Sequence, residues 1–262
     1  MSVEAALSTL GLCKRYGAFQ AVAELSLGVR AGELYALLGP NGAGKTTTIK
    51  MLMGVLQPSG GSARICGLDC FARRHEVMRH VGYLPDEPVF YDYLRGREIL
   101  RFVGEMHGLS PGEIRTRAGE WTAPFGLDEA LEEYAVNYSR GMKKKLALVC
   151  ALLHEPEVLI LDEPTNGLDP HATRLLHELM RRQSAAGHTV FFSTHLLDQA
   201  ERLCHRVGIL YQGRLAAEGT LEELRARRAA GGTLEEIFFS VTGGEQEVDE
   251  PPASAPAGSA GA

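Results

Sequence analysis

The apolar positions of this 262-residue chain fall into short runs separated by polar and glycine-rich stretches. From Ala5 to Arg30 short apolar segments mix with glycine and predict β-strands. Leu34 to Leu38 is a compact apolar strand that stops at Gly39. The chain then turns through Gly42 and Gly44 into a helix, where Ile49, Leu52, Met53 and Leu56 recur at helical spacing and turn one face inward. Val81 to Leu84 is another strand candidate. From about Glu87 to Leu153 the pattern is mostly helical, most clearly over Glu98–Met106 and Lys143–Leu153. Val158 to Leu161 and Thr189 to Phe192 are two further apolar strands, with a helix of about Pro170 to Arg182 between them. Past Arg206 come two strand-like segments and two helices, for which Thr220 with Glu223 and Thr233 with Glu236 supply capping boxes. Strands alternating with helices predict a mainly parallel α/β sheet carrying a helical insertion. From Gly243 onward the chain is mostly Glu, Pro, Ala, Gly and Ser, has no apolar face to bury, and is expected to be disordered.

Composition narrows the function. Hydrophobic residues make up 45% of the chain and charged residues 23%, which fits a soluble protein with a substantial core. The net charge of -6 argues against nucleic acid as a partner. Five cysteines, Cys13, Cys66, Cys70, Cys150 and Cys204, form no disulfide framework. Cys66 and Cys70 are the nearest pair, but no second pair completes a zinc site, so buried or idle thiols in a reducing cytosol are expected. The first residues lack a basic-then-apolar targeting pattern. The longest apolar run, Leu146 to Leu153, falls far short of the ~20 residues of a membrane helix, so any membrane would be served from the water side.

Two motifs carry chemistry. Gly39-Pro40-Asn41-Gly42-Ala43-Gly44-Lys45-Thr46 matches G-x-x-x-x-G-K-[ST] between a strand and an amphipathic helix. Its glycines let backbone N–H groups curl around phosphate oxygens, and the helix points its positive end at them. Lys45 is expected to reach the β and γ phosphates, Thr46 to ligate Mg²⁺, and Thr47 to join the nucleotide contacts. The second motif, Val158-Leu159-Ile160-Leu161-Asp162-Glu163, is a buried strand ending in two carboxylates. At the carboxyl end of a strand beside the P-loop, Asp162 would hold Mg²⁺ and Glu163 would act as general base on the attacking water.

With these motifs in order, the chain resembles ABC-transporter nucleotide-binding subunits over about Leu7 to Gly243. Tyr16 matches the aromatic that stacks on adenine, its competing reading being a core tyrosine. Tyr138-Ser139-Arg140-Gly141-Met142 stands where the family has Leu-Ser-Gly-Gly-Gln, and keeps Ser139 and Gly141. Those two can bind a γ-phosphate at a helix N-terminus, with Arg140, Lys143, Lys144 and Lys145 adding positive charge nearby; the plainer reading is a serine N-cap on a solvated basic helix. Gly167-Leu168-Asp169 resembles the loop that contacts a partner subunit, and Asp169 before Pro170 is also a good N-cap. His195 matches the switch histidine. Asp86 replaces the family's glutamine after Gly82-Tyr83-Leu84-Pro85 and, as a carboxylate, is a further candidate for Mg²⁺, with Glu87 as a possible substitute.

The resemblance implies a P-loop NTPase core sheet of the RecA type with an N-terminal antiparallel β subdomain and a helical insertion. The expected divisions are a core of about 1–86 and 154–243, a helical subdomain of about 87–153, and a disordered tail of 244–262. It also implies ATP and Mg²⁺ as cofactors and a homodimer or heterodimer of two ABC ATPases with ATP held between them. An integral-membrane permease on a separate chain would be the other partner, which places this subunit in the cytoplasm, peripheral on the cytoplasmic face of the cell membrane. The altered signature and glutamine positions resemble exporter-type bacterial members. Phe90, Tyr91 and Tyr93 are expected either to line a permease groove or to pack in the core. Of the alternatives, a soluble ABC ATPase acting on ribosomes or DNA usually has two cassettes or a long coiled coil, and this chain has neither. A GTPase lacks its Asn-Lys-x-Asp pattern here, and a non-hydrolysing regulator would have lost Lys45 or Glu163.

Overall fold

The chain begins with two long strands, β1 (Ala5–Tyr16) and β2 (Phe19–Arg30), joined by a tight turn in which Gly17 takes a positive φ. In this computed structural model residues 5–226 and 233–243 are described. Strand β3 (Leu34–Leu38) follows and is buried at every residue. The phosphate-type loop then leads into helix α1 (Lys45–Leu52). Next come β4 (Gly60–Ile65), β5 (Leu68–Asp69), α2 (Arg74–His80) and β6 (Val81–Leu84). The insertion holds α3 (Gly96–Met106), α4 (Pro111–Thr122) and α5 (Arg140–Leu152), with two short 3₁₀ turns before α5. The remainder is β7 (Val158–Asp162), α6 (Pro170–Ala185), β8 (Thr189–Thr194), α7 (Leu197–Leu203), β9 (Arg206–Tyr211), β10 (Arg214–Gly219), α8 (Leu221–Ala226) and α9 (Leu234–Thr242).

Two sheets result. An antiparallel sheet has the order β2-β1-β4-β5, and a six-stranded sheet has the order β10-β9-β3-β8-β7-β6. In the larger sheet β9, β3, β8, β7 and β6 run parallel and β10 closes one edge antiparallel. The expected parallel α/β sheet, antiparallel subdomain and helical insertion are all present. Alternation along each strand divides the core between the two faces of the large sheet. Leu34, Ala36 and Leu38 of β3 and Leu159 and Leu161 of β7 meet α3, α5 and α6 on one face. Tyr35, Leu37, Val158 and Ile160 meet α1 and the antiparallel sheet on the other. A strand covered on both faces must be apolar throughout, which is why β3 and β7 read as unbroken hydrophobic runs.

Several boundaries differ from the sequence pattern. Helix α1 ends at Leu52, so Leu56 packs from the loop beyond it. The helical span expected from Glu87 begins at Gly96; Pro85 and Pro88 supply no N–H groups and restrict the residues before them. Helix α6 continues three residues past Arg182. Strands β4 and β5 and helix α2 went unpredicted: β4 starts on two glycines, and α2 buries only Val77. Both capping threonines act as expected, accepting from Glu223 N at 3.1 Å and Glu236 N at 3.2 Å. The tail 244–262, for which disorder is predicted, lies outside the described residues.

Candidate active site

Register decides which residues meet. Leu38 pairs with Thr194, Asp162 with Ser193, and Leu84 with Leu161, so four parallel strands end at one level. The loop from Gly39, the Pro85-Asp86 turn, Glu163 and His195 therefore leave the sheet together at its carboxyl edge, the usual ligand position in such sheets. They border a cleft of about 470 Å³ lined by Tyr16, Phe19, Ala21, Pro40 to Thr47, Asp86, Glu163, Asn166 and His195.

The loop's glycines are there for space as well as for torsion. A Cβ on Gly39 would meet Leu210 O at 2.4 Å, and one on Gly44, whose φ is 106°, would meet Ala21 O at 2.5 Å. Gly42 also has a positive φ. The loop can therefore present backbone N–H groups to the cleft only with glycine at these positions. Lys45 is buried and bends back over the loop, donating to Gly39 O at 2.6 Å and Pro40 O at 3.2 Å. Its Nζ also lies 3.2 Å from Glu163 Oε1, without the alignment of a hydrogen bond.

The two carboxylates at the end of β7 have different settings. Asp162 is buried; its Oδ1 accepts from Ser193 Oγ at 2.6 Å, while Oδ2 has no hydrogen-bond partner among the described residues. Burial raises its pKa, and the Ser193 and Thr46 hydroxyls oppose that rise. A buried carboxylate oxygen left free beside a threonine hydroxyl is the donor set a hard cation such as Mg²⁺ takes. Glu163 sits in the left-handed region at φ 43°, an uncommon conformation for a residue other than glycine. Its N–H donates to Ser193 Oγ at 3.1 Å, and its Oε2 lies 3.0 Å from His195 Nδ1. One end of its carboxylate thus faces the lysine and the other the histidine.

Asp86 reaches the cleft but is committed elsewhere. Its Oδ1 accepts from Asn166 Nδ2 at 3.2 Å and from Lys144 Nζ at 3.3 Å. Lys144 is only 1% exposed and also donates to Asp86 O at 2.9 Å and Glu163 O at 2.7 Å. Burial lowers its pKa and Asp86 works against that. One buried cation therefore ties the α5 helix to both cleft loops. Sequence reading placed Lys144 in a basic run with Lys143 and Lys145 and missed this role. The available signal was its position among Leu146, Leu148 and Val149 on a helix that is buried from residue 146 onward. Asn166, Phe19 and Ala21 were also missed; Phe19 is 64% exposed beside Tyr16 at 49%, so neither ring belongs to the core.

Five expected residues lie outside the cleft lining. Gly39 follows β3 and Asp162 ends β7, each next in sequence to a lining residue, whereas Ser139, Gly141 and Asp169 stand farther along the chain. Ser139 caps α5 by accepting from Met142 N at 3.2 Å. Gly141 stands against the loop before α6, where a Cβ would meet Gly167 O at 2.8 Å. Asp169 caps α6, accepting from Ala172 N at 2.8 Å, and its Oδ2 lies 3.0 Å from Lys145 Nζ. The Ala172 N–H, followed by the lysine, holds its pKa down at about 2.

Comparison with known proteins shows the family. The family model described as ABC transporter matches residues 22–166. An ABC transporter ATP-binding protein of Bacillus subtilis (strain 168), YxlF, is 41% identical over 222 residues, covering 85% of this chain and 73% of that protein. The daunorubicin/doxorubicin resistance ATP-binding protein DrrA of Streptomyces peucetius is 39% identical over 221 residues, covering 84% and 67% respectively. A solved structure of the ATP-binding subunit of an ABC transporter superposes with a TM-score of 0.86 at 37% identity, covering 90% of this chain and 99% of that one. The chain belongs to the ABC transporter family, as an ATP-binding and ATP-hydrolysing subunit.

Proposed function

We propose that this subunit closes on ATP as half of a dimer and drives export through membrane subunits on other chains. The observation that carries this reading is the convergence of Lys45, Glu163 and His195 on one cleft beneath the glycine loop, with Asp162 buried behind it against Thr46. In this reading Gly39 to Thr47 cradle the phosphates, Lys45 swings from the loop carbonyls to the β and γ phosphates, and Tyr16 stacks on the base. Phe19 stands beside Tyr16 at the same mouth. Thr46 and Asp162 would hold Mg²⁺, with Asp86 nearby, and the ion would neutralise charge building on the phosphates. Glu163 takes a proton from the attacking water, and His195 steadies Glu163 and donates toward the γ-phosphate.

Ser139 and Gly141 stand outside this chain's own cleft, which suits a role toward the nucleotide of a second subunit. Asp169 caps its helix while facing the same partner. Loss of the γ-phosphate bridge then lets the pair open, and the motion passes to the membrane subunits. No helix among the described residues is long and apolar enough to cross a membrane, which fits a division of labour with a separate permease at the cytoplasmic face. Val89, Tyr91 and Tyr93 are exposed directly after Asp86 and offer a docking edge; Phe90 instead packs on the core. The drug-resistance role in the name of DrrA supports export as the direction. In this arrangement about 1–86 and 154–243 form the core and about 87–153 the helical subdomain.

Two measurements test the reading. Lys45→Ala should abolish ATP binding and hydrolysis in the purified subunit, because among the described residues no other lysine lines the cleft; retained turnover would refute the site. Asp86→Ala should leave ATP affinity within a few-fold of wild type yet impair transport in membrane vesicles, because Asp86 touches the helix tether and not the glycine loop. Loss of ATP binding with no further loss of transport would show that Asp86 takes no part in passing the nucleotide state to the membrane subunits.

A further inference from the structure

A second cluster of ligand-type side chains lies at the amino edge of the same sheet, at the far end of β7 from Asp162. Cys66 stands in the turn between β4 and β5, His80 is the last residue of α2, and Glu157 immediately precedes β7. Cys66 Sγ is 3.8 Å from Glu157 Oε2, His80 Nδ1 is 2.7 Å from Glu157 Oε1, and one ligand atom from each residue lies within 4.8 Å of the other two. It is the sole cluster of this kind among the described residues.

We propose that Cys66, His80 and Glu157 form a binding site for a borderline divalent metal ion of the zinc class. The donor set is one sulfur, one nitrogen and one oxygen, the types that Zn²⁺ takes in a tetrahedron. Ligand atoms about 2.0–2.3 Å from one tetrahedral ion stand roughly 3.3–3.7 Å apart. The histidine and glutamate need to part by only about half an ångström, and the thiol, within 4.8 Å of both, needs to close by no more than about 1.5 Å. The backbone at each end is anchored: Cys66 N donates to Ala6 O at 2.8 Å, and Glu157 O accepts from Thr189 N at 2.9 Å. His80 ends a helix, where the exposed carbonyls favour positive charge. Cys66 and His80 are half-buried and Glu157 is exposed, which leaves a route of entry and a fourth position for water. Thiolate and imidazole ligands exclude Mg²⁺, so this site would not compete for the ion used with ATP.

Binding would release the thiol proton and staple the antiparallel sheet and α2 to the residue that leads into β7. The site does not depend on the transport reading, and its residues take no part in the nucleotide cleft. The test uses the full chain, stripped with a chelator, without nucleotide, titrated with ZnCl₂ against a chromophoric competitor. One equivalent of Zn²⁺ is expected per chain, and Co²⁺ in its place should show a sulfur-to-metal charge-transfer band. Cys66→Asn and His80→Ala should each weaken binding at least tenfold and abolish the Zn²⁺-dependent rise in Tm, while Cys70→Ser should bind as wild type. Asparagine accepts the left-handed backbone at position 66, where φ is 48°, so that variant keeps its turn. Unchanged basal ATPase activity confirms that each variant is folded. Absence of one-equivalent binding at about 100 μM Zn²⁺, roughly the weak limit for a built site, would overturn the proposal. Equal binding by Cys66→Asn and wild type would also overturn it.

Discussion

Replacing Glu163 by glutamine should cut ATP turnover about 100-fold or more while leaving ATP bound, since positioned general bases contribute about 10²–10⁴-fold. Glutamine keeps the shape of the side chain but has no carboxylate to take the proton of the attacking water. The change also removes the negative charge 3.2 Å from Lys45 Nζ. Lys45 is then held by neutral carbonyls alone and turns more easily to phosphate, so affinity for ATP should hold or rise. If two subunits share each nucleotide, the variant should accumulate as a dimer in Mg-ATP and run as one on size-exclusion chromatography. Wild type should return to monomer as ATP is consumed. Turnover near the wild-type rate would remove Glu163 from the role of base. Loss of turnover with only monomer present would leave the base in place and reject the shared site.

Lys144→Met should be the most destabilising of the changes considered, and its cause is distinct. Lys144 is 1% exposed and its ammonium serves three acceptors: Asp86 O, Asp86 Oδ1 and Glu163 O. Methionine fills most of the volume and satisfies none of them. Removing one partner of a buried pair costs about 3–5 kcal/mol. Asp86 is 37% exposed and can recover some hydration, so about 2–4 kcal/mol is expected in a denaturant titration. The kinetic effect should fall on kcat, because the lost bonds hold the backbone of Glu163 and the Asp86 turn, while the glycine loop is untouched. Lys144→Arg should restore part of the loss. Asp86→Asn combined with Lys144→Met should cost less than the sum of the two, since neutralising the carboxylate removes the stranded charge. Strict additivity, or a normal kcat in Lys144→Met, would show that the pair carries no coupling.

The motifs were legible because each answers to a local requirement. Phosphate binding needs glycines, a lysine and a hydroxyl at fixed offsets at the start of a helix, and Gly39 to Thr46 supply them within eight residues. Strands β3 and β7 were legible because burial on both faces demands unbroken apolar runs. The same logic hid β4 and α2, whose stability comes from neighbours: β4 is held by β1, and α2 has Val77 as its one fully buried side chain. Tyr16 and Asp169 each allowed two readings in the sequence. Exposure of the Tyr16 ring at the cleft mouth removes the core reading, and for Asp169 the cap is visible in the bond from Ala172.

By itself, then, the order of residues determined the alternating architecture, the phosphate loop, the acidic strand end and the family, because these depend on neighbours a few positions apart. Tertiary structure alone decided that Lys144 is a buried tether and not part of a solvated basic run. It also brought Cys66 to His80 and Glu157, although Cys70 is its nearest cysteine in the chain. Contacts across 58 residues, as for Lys144 and Asp86, or across 91, as for Cys66 and Glu157, arise from the register of strands and the docking of a helix. No periodicity within a segment records such distances, because side-chain spacing along one element says nothing of which other element will stand against it.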